Sequence, residues 1–163
     1  MLTLEEMLLR LAMAIVLGAI VGFGRELAGK EAGLRTDIIV AAGAALFTIA
    51  GLSLPYLIAT SPDNLSEIIA RNSGFLALVG NVVVGIGFLG AGIIVKEGAH
   101  VRGITTAASV WFVAAVGVLC GIGLLAFAAI ATVGVAVLLE ILRRVDLKRF
   151  SKEPVVLDGE GPR

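Results

Sequence analysis

The chain has 163 residues, of which 58% are hydrophobic and 16% charged, and its 13 basic and 13 acidic side chains balance. Soluble domains carry about a quarter charged residues, so this composition is typical of a membrane protein. The lack of a basic face argues against nucleic acid as a partner. A single cysteine excludes a disulfide or zinc-binding framework.

Long stretches without charge dominate the chain. Asp, Glu, Lys and Arg are absent from residues 11–24, 38–62, 72–95 and 103–139. A helix needs about 20 largely apolar residues to cross the hydrocarbon core of a bilayer. The longest stretch accommodates two helices, with a turn at Gly121–Gly123, because glycine adopts turn geometry without steric cost. The pattern predicts five spans, at residues 4–23, 38–59, 74–95, 104–120 and 124–142.

These spans should be α-helices, because a backbone in lipid must satisfy its own hydrogen bonds. The first span starts near Leu4 if Arg10 snorkels toward the membrane interface. The predicted fold class is therefore all-α and polytopic, with the bilayer itself as a partner. The transmembrane domain covers residues 1–143, and a polar tail predicted to be disordered covers residues 144–163.

Lys and Arg predict the orientation. They concentrate in the turns at 24–37 and 96–103 and in the tail, whereas the connection at 60–73 carries Arg71 as its one basic residue. Short loops rich in Lys and Arg stay on the cytoplasmic side of a membrane. We therefore expect a multi-pass protein of a bacterial or archaeal plasma (inner) membrane, with the N-terminus outside and the C-terminus in the cytoplasm.

The two charged turns resemble each other. The segment KEAGLRT at 30–36 is similar to KEGAHVR at 96–102, and each follows a glycine-rich helix end and precedes an alanine-rich span. Spans one and two would then repeat spans three and four about an axis along the membrane normal, as in some transporters. The alternative is convergence, since any cytoplasmic hairpin attracts Lys, Arg and Gly.

Small residues are frequent in the spans. Span one holds the GxxxG motif of Gly18 and Gly22, and span four holds that of Gly117 and Gly121. Such motifs let helices approach closely, within one chain or in a dimer. Span three carries Asn81 and the glycines Gly85, Gly87, Gly90 and Gly92. Two interpretations of these glycines stand: close packing, or a broken helix whose freed backbone groups line an ion site.

No catalytic motif is present, so an enzyme is not expected. Glu26, Glu31, Asp37 and Glu97 are predicted on one membrane face, and Mg²⁺ is typically held by one or two carboxylates. Weak association of Mg²⁺ is chemically feasible there, although neighbouring Lys and Arg compete for these acids. Glu31 and Arg35, for example, have the spacing of a helical ion pair. No cofactor is predicted, and any metal site is unknown.

Two long segments, GRELAGKEAGLRTDIIVAAGAALFT at 24–48 and GIGFLGAGIIVKEGAHVRGITTAASVWFVAAVG at 85–117, closely resemble the MgtC/SapB family, as does the helix after them. The resemblance implies a bacterial inner-membrane protein with about five spans. It also implies a role in growth at low magnesium, in virulence of some pathogens, and in ion or ATP homeostasis. Many members have Glu at the position of Gly24. The chain is expected to be a short form, without the cytoplasmic C-terminal domain of longer members.

The leading hypothesis is a non-enzymatic protein of MgtC/SapB type that acts on a membrane partner. ATP synthase is the candidate partner that the resemblance implies, and a homo-oligomer is a further option. The alternative is a small ion channel or transporter with its path along span three. The residues expected to act in the turns are Arg25, Glu26, Lys30, Arg35, Thr36, Asp37, Lys96, Glu97, Arg102, Thr105 and Thr106. Those expected to act within the membrane are Asn81, Gly85, Gly87, Gly90 and Gly92.

Overall fold

A computed structural model describes residues 2–59, 61–71, 74–98 and 100–144. In chain order it contains helices α1 (Leu4–Leu27), α2 (Leu34–Ile58), α3 (Pro62–Arg71) and α4 (Gly74–Ile93), strands β1 (Val95–Glu97) and β2 (His100–Arg102), and helices α5 (Ile104–Ile122) and α6 (Leu125–Arg144). The tail predicted to be disordered lies, beyond Arg144, outside the described residues.

Four of the described helices, α1, α2, α5 and α6, are long and apolar enough to cross a membrane. The predicted span three corresponds to α4, whose apolar part Ala77–Ile93 is shorter. α1 starts at a capping box, in which the side chains of Thr3 and Glu6 accept hydrogen bonds from each other's backbone N–H groups. The predicted all-α, polytopic membrane fold is confirmed.

The helices extend beyond the apolar stretches into the first charged turn. α1 includes Arg25 and Glu26, and α2 starts at Leu34 instead of residue 38. Charge marks the edge of an apolar stretch, but the hydrogen bonds of a helix continue past that edge. The turn therefore narrows to residues 28–33, and Glu31 precedes α2 without the helical spacing that would pair it with Arg35.

The β1–β2 ribbon and helix α3 were not predicted from the sequence. In the second charged turn, β1 and β2 form an antiparallel ribbon with Val95 opposite Arg102 and Glu97 opposite His100. Gly98 has a φ of +61°, which glycine adopts without strain. The other element is α3, in the connection after α2. Strands of three residues are too short to show a periodic pattern in the sequence. The repeat of spans one and two in spans three and four stays a prediction.

α1 approaches α2 closely through its GxxxG motif. A Cβ atom added to Gly18 would lie 2.7 Å from the carbonyl oxygen of Asp37, and one added to Gly22 would lie 2.7 Å from the Cα of Leu34. Both helix backbones are therefore in direct contact along this seam, as expected for small residues in membrane helices.

α5 approaches the same face of α2 through its own GxxxG motif. Gly117 of α5 lies directly against the carbonyl oxygen of Ala41, and a Cβ atom added to Gly121 would lie 2.5 Å from the Cβ of Thr48. α2 thus contacts both GxxxG motifs along one face, where Ala41 meets Gly18 and Gly117. The main core contains Ala14, Leu17, Val21, Ala41, Ala45, Val113, Val116, Cys120 and Ala128.

α4 packs on the outside of α2 and α5 through Val79, Val82 and Ile86. It is a continuous α-helix across residues 85–92, so the broken-helix interpretation of these glycines is wrong. A Cβ atom added to Gly90 would lie 3.5 Å from Ala107, whereas Gly80, Gly85, Gly87 and Gly92 face open space. Close packing within the chain explains the glycines of α1 and α5 but not most of those in α4.

Arg10 connects α1 to α5 at the end of the bundle opposite the two charged turns. Its Nη1 donates a hydrogen bond to the carbonyl oxygen of Gly121 at 2.7 Å, which links the start of α1 to the end of α5. A basic group here also complements the free carbonyls of the last helical turn. Gly123 ends α5 with a φ of +100° and lies in the turn before α6, whereas Gly121 and Ile122 of the predicted turn belong to the last turn of α5.

Candidate functional site

The residues predicted to act in the two charged turns lie mostly at one end of the bundle. We call this end the turn end; it comprises loop 28–33, the β1–β2 ribbon and the last turns of α6. Arg25, near the end of α1, contacts Ser109, near the start of α5, and so brings the two turns together.

Arg25 is the centre of a buried polar cluster, with 7% of its surface exposed. Its Nε donates to the carbonyl oxygen of Ala32 at 2.8 Å, and its Nη1 donates to Ser109 Oγ at 2.7 Å. The Ser109 hydroxyl in turn donates to the carbonyl oxygen of Thr105 at 2.9 Å. One guanidinium therefore fixes loop 28–33 against the first turn of α5. Its Nη2 has no hydrogen-bond partner among the described residues.

Asp37 lies in the same region, between α1 and α2, and is fully buried. Neither carboxyl oxygen forms a hydrogen bond with a described residue. The Arg25 guanidinium acts on this carboxyl electrostatically, across a gap longer than a hydrogen bond. Buried charges are costly unless they are paired and hydrogen-bonded. This pair is therefore incompletely satisfied, and ionisable residues among membrane helices are candidates for a functional site.

Glu26 stabilises the first turn. Its Oε2 accepts a hydrogen bond from the backbone N–H of Leu34 at 2.8 Å, which caps the start of α2. A Cβ atom added to Gly33 would lie 2.8 Å from the same oxygen, so the absence of a side chain there makes room for the carboxylate. Glu26 has a structural role that its presence in a charged run does not reveal.

The remaining charged residues of the turns are exposed. Lys30 and Arg35 stand on the first turn, and Lys96 stands on the ribbon. Arg102 Nη1 lies 3.4 Å from Glu97 Oε2, with 70% and 63% of the two side chains exposed. Such an exposed pair contributes at most about 1 kcal/mol to stability. These cations are therefore available to a partner at little cost to the fold.

The three predicted threonines differ in burial. Thr106 is 5% exposed and packs inside α5, Thr105 is exposed, and Thr36 is partly buried. Thr105 lines a cavity of about 330 Å³ between α1, α5 and α6, together with Arg25 and Lys30. The structure thus brings together residues from both turns, while the ribbon side chains and Asp37 lie outside this cavity wall.

The predicted residues within the membrane form a separate group. Asn81 and Gly85 line an apolar groove of about 460 Å³ between α2 and α4, beside Gly43 and Phe47. Asn81 is exposed, and Gly87 and Gly92 face open space on the same helix. This groove involves neither charged turn, so the two sets of predicted residues are not parts of one site.

The sequence interpretation missed two contributors to the turn end. Ser109 was not among the predicted site residues, yet it accepts the Arg25 hydrogen bond. Glu140 of α6 lines the same cavity as Arg25. Its signal in the sequence is that it ends a charge-free stretch of 37 residues, at 103–139.

The acids at the turn end do not converge on one point. Among the described residues, no three His, Cys, Asp or Glu side chains are grouped so as to hold a metal ion. Glu26 caps α2, Asp37 is buried beside α1, and Glu97 pairs with Arg102. Weak Mg²⁺ association would therefore involve one or two carboxylates with retained waters.

These observations define a class: a helical, multi-pass membrane protein with a buried polar cluster that joins two charged turns. Comparison with known proteins narrows that class. The profile of the MgtC family matches residues 11–148. The chain belongs to the MgtC family, which confirms the resemblance seen in its two charged turns.

The relatives in this family are longer. The chain is 40% identical over 153 residues to Protein MgtC of Salmonella choleraesuis, which covers 94% of this chain and 59% of the relative. It is 44% identical over 133 residues to Protein MgtC of Brucella abortus, which covers 82% of this chain and 50% of the relative. The chain thus spans roughly half of the length of these relatives. No solved structure matches it.

Proposed function

We propose that this chain is a non-enzymatic membrane protein of MgtC type that adapts the cell to low magnesium through a membrane partner. Membership of the MgtC family supports the general role. The helical fold with exposed cations at one end supports an action by contact.

The turn end would face the cytoplasm of a plasma-membrane protein. Lys30, Arg35, Lys96 and Arg102 all stand there, and Lys and Arg in short loops remain on the cytoplasmic side. The opposite end has fewer basic residues: Arg10, which donates a hydrogen bond to α5, and Arg71 of α3. This asymmetry supports the orientation with the N-terminus outside and the C-terminus inside.

One observation carries the proposal: the Arg25–Ser109 hydrogen bond fixes the two charged turns against each other. The exposed cations of the first turn and of the ribbon then lie at the same end of the bundle, where a buried contact joins α1 to α5. A basic end of this kind suits an acidic cytoplasmic segment of a membrane protein, because opposite potentials steer association. ATP synthase is a candidate for that partner, and a second copy of this chain is another.

The test is growth of the native host after deletion of the gene. We expect the deletion strain to grow normally in magnesium-replete medium and poorly in low-magnesium medium. Expression of the wild-type chain should restore growth at low magnesium. Equal growth of the deletion and parent strains across the magnesium range would contradict the proposal, as would a failure of the chain to rescue when it accumulates in the membrane.

A further inference from the structure

The cavity at the turn end has a lining that the proposed function does not use. It measures about 330 Å³ and opens between α1, α5 and α6. Most of its wall is apolar, with Ile20 from α1 and Val135 and Leu139 from α6. Ile20 is 42% and Leu139 is 43% exposed, so the protein leaves this wall open to the bilayer. The volume is in the usual range for sites that hold an organic ligand.

One end of the cavity carries positive charge. Arg25 lines it, and the Nη2 of this buried guanidinium has no hydrogen-bond partner among the described residues. The Asp37 carboxyl acts on this guanidinium only across a gap longer than a hydrogen bond. Leaving a buried charged donor without a bonded partner is costly, so this N–H group can still take an anionic acceptor. Lys30 lines the same end from loop 28–33 and is exposed at its edge. The two cations together mark an anion site.

The start of α5 adds neutral donors at the same place. The first N–H groups of a helix have no partner within it, and the helix dipole favours an anion there. Gly103 precedes α5 and supplies no side-chain cap, while the Thr105 hydroxyl lines the cavity. Glu140 also lines the cavity and has an interaction partner of its own. The charged end is therefore suited to a phosphate group.

We propose that this cavity binds an anionic phospholipid, with the phosphate of its headgroup at Arg25, Lys30 and the start of α5. One acyl chain lies along the apolar wall between α1 and α6. Basic pockets between membrane helices at the level of the headgroups are known to bind anionic lipids. A free phosphate ion shares the headgroup chemistry but would leave the apolar wall exposed, and for that reason the lipid is the favoured source.

Native mass spectrometry of the purified chain in detergent tests this assignment. The probes are dioleoylphosphatidylglycerol and dioleoylphosphatidylcholine, which carry the same acyl chains but differ in net charge. The wild-type chain should retain the anionic lipid several-fold more than the zwitterionic one. Equal retention of the two lipids would overturn the proposal. Displacement of the anionic lipid by millimolar inorganic phosphate would assign the site to a free ion instead.

Two variants and a control locate the site. Lys30→Gln should weaken retention of the anionic lipid about fivefold, the usual contribution of one basic residue at a membrane surface. Ala136→Phe fills the cavity from α6 without changing any charge, and should also reduce retention. Lys96→Gln removes a cation of the ribbon, outside the cavity wall, and should leave retention unchanged. The same loss in Lys30→Gln and Lys96→Gln, or full retention in Ala136→Phe, would refute binding in this cavity.

Discussion

The seam between α1 and α2 offers a matched pair of substitutions on a single helix. A Cβ atom added to Gly22 would lie 2.7 Å from the Cα of Leu34, 3.0 Å from the Cβ of Asp37 and 3.1 Å from the carbonyl oxygen of Gly33. A Cβ atom added to Gly24, two residues later, would meet nothing within 4 Å. Alanine at Gly22 must therefore push α2 away, whereas alanine at Gly24 fits.

The two substitutions have the same effect on helix propensity. Each replaces glycine by alanine within α1, which gains up to about 1 kcal/mol of helix propensity. Overpacking a well-packed core typically costs about 1–3 kcal/mol. Two of the contacts at Gly22 are backbone atoms, which cannot rotate aside as a side chain can. We therefore expect Gly22→Ala to be less stable than Gly24→Ala by about 1–3 kcal/mol, the range of the overpacking cost alone.

The free energy of unfolding of the two variants can be measured through the protein's own cysteine, Cys120. Cys120 is its single cysteine and is fully buried in the core, so a thiol-reactive fluorophore labels it only when the bundle opens. Labelling during a denaturant titration in micelles gives the free energy of unfolding of each variant. Coincident unfolding curves for Gly22→Ala and Gly24→Ala would refute the close α1–α2 contact.

The same thiol-labelling assay checks three further predictions. Ser109→Ala removes the acceptor of Arg25 Nη1 and should destabilise the bundle by about 1–3 kcal/mol, because a buried charged donor loses its partner; stability equal to the wild type would mean that this contact is not formed. Arg102→Ala removes only an exposed ion pair with Glu97 and should change stability by less than about 1 kcal/mol. Gly85 faces open space on α4, so Gly85→Ala should leave stability unchanged or raise it slightly. A loss of stability comparable to that of Gly22→Ala would show that another surface covers Gly85.

The positions of the helices could be predicted from the absence of charge, because the bilayer penalises charge more than any soluble core does. The exact ends could not. α2 begins at Leu34 and carries Arg35 and Asp37 inside its first turn, since helical hydrogen bonding continues where the apolar stretch stops. The β1–β2 ribbon is equally invisible, because three-residue strands have no periodicity to detect.

Partners across the fold were harder to predict than elements. The GxxxG spacing identified the close-contact faces of α1 and α5, but spacing alone does not say that both pack on the same face of α2. The glycines of α4 also suggested close packing, because the sequence does not show which helix face is covered. In the structure, Gly85, Gly87 and Gly92 face open space. In the sequence, Arg25 was one charge among several in a turn, and nothing distinguished it from the others. Its burial follows from a hydrogen bond to Ser109, 84 residues away, which local sequence does not encode.

The central claim is that the exposed cations of the turn end carry the function in low magnesium. The most direct measurement is growth at low magnesium of the deletion strain carrying Arg102→Ala or Arg102→Lys, with the membrane level of each chain measured in parallel. Because Arg102 makes only an exposed contact with Glu97, both variants should accumulate like the wild type. The account predicts that Arg102→Lys restores growth and Arg102→Ala does not. Full rescue by Arg102→Ala, and likewise by Arg35→Ala, at wild-type membrane levels would contradict it.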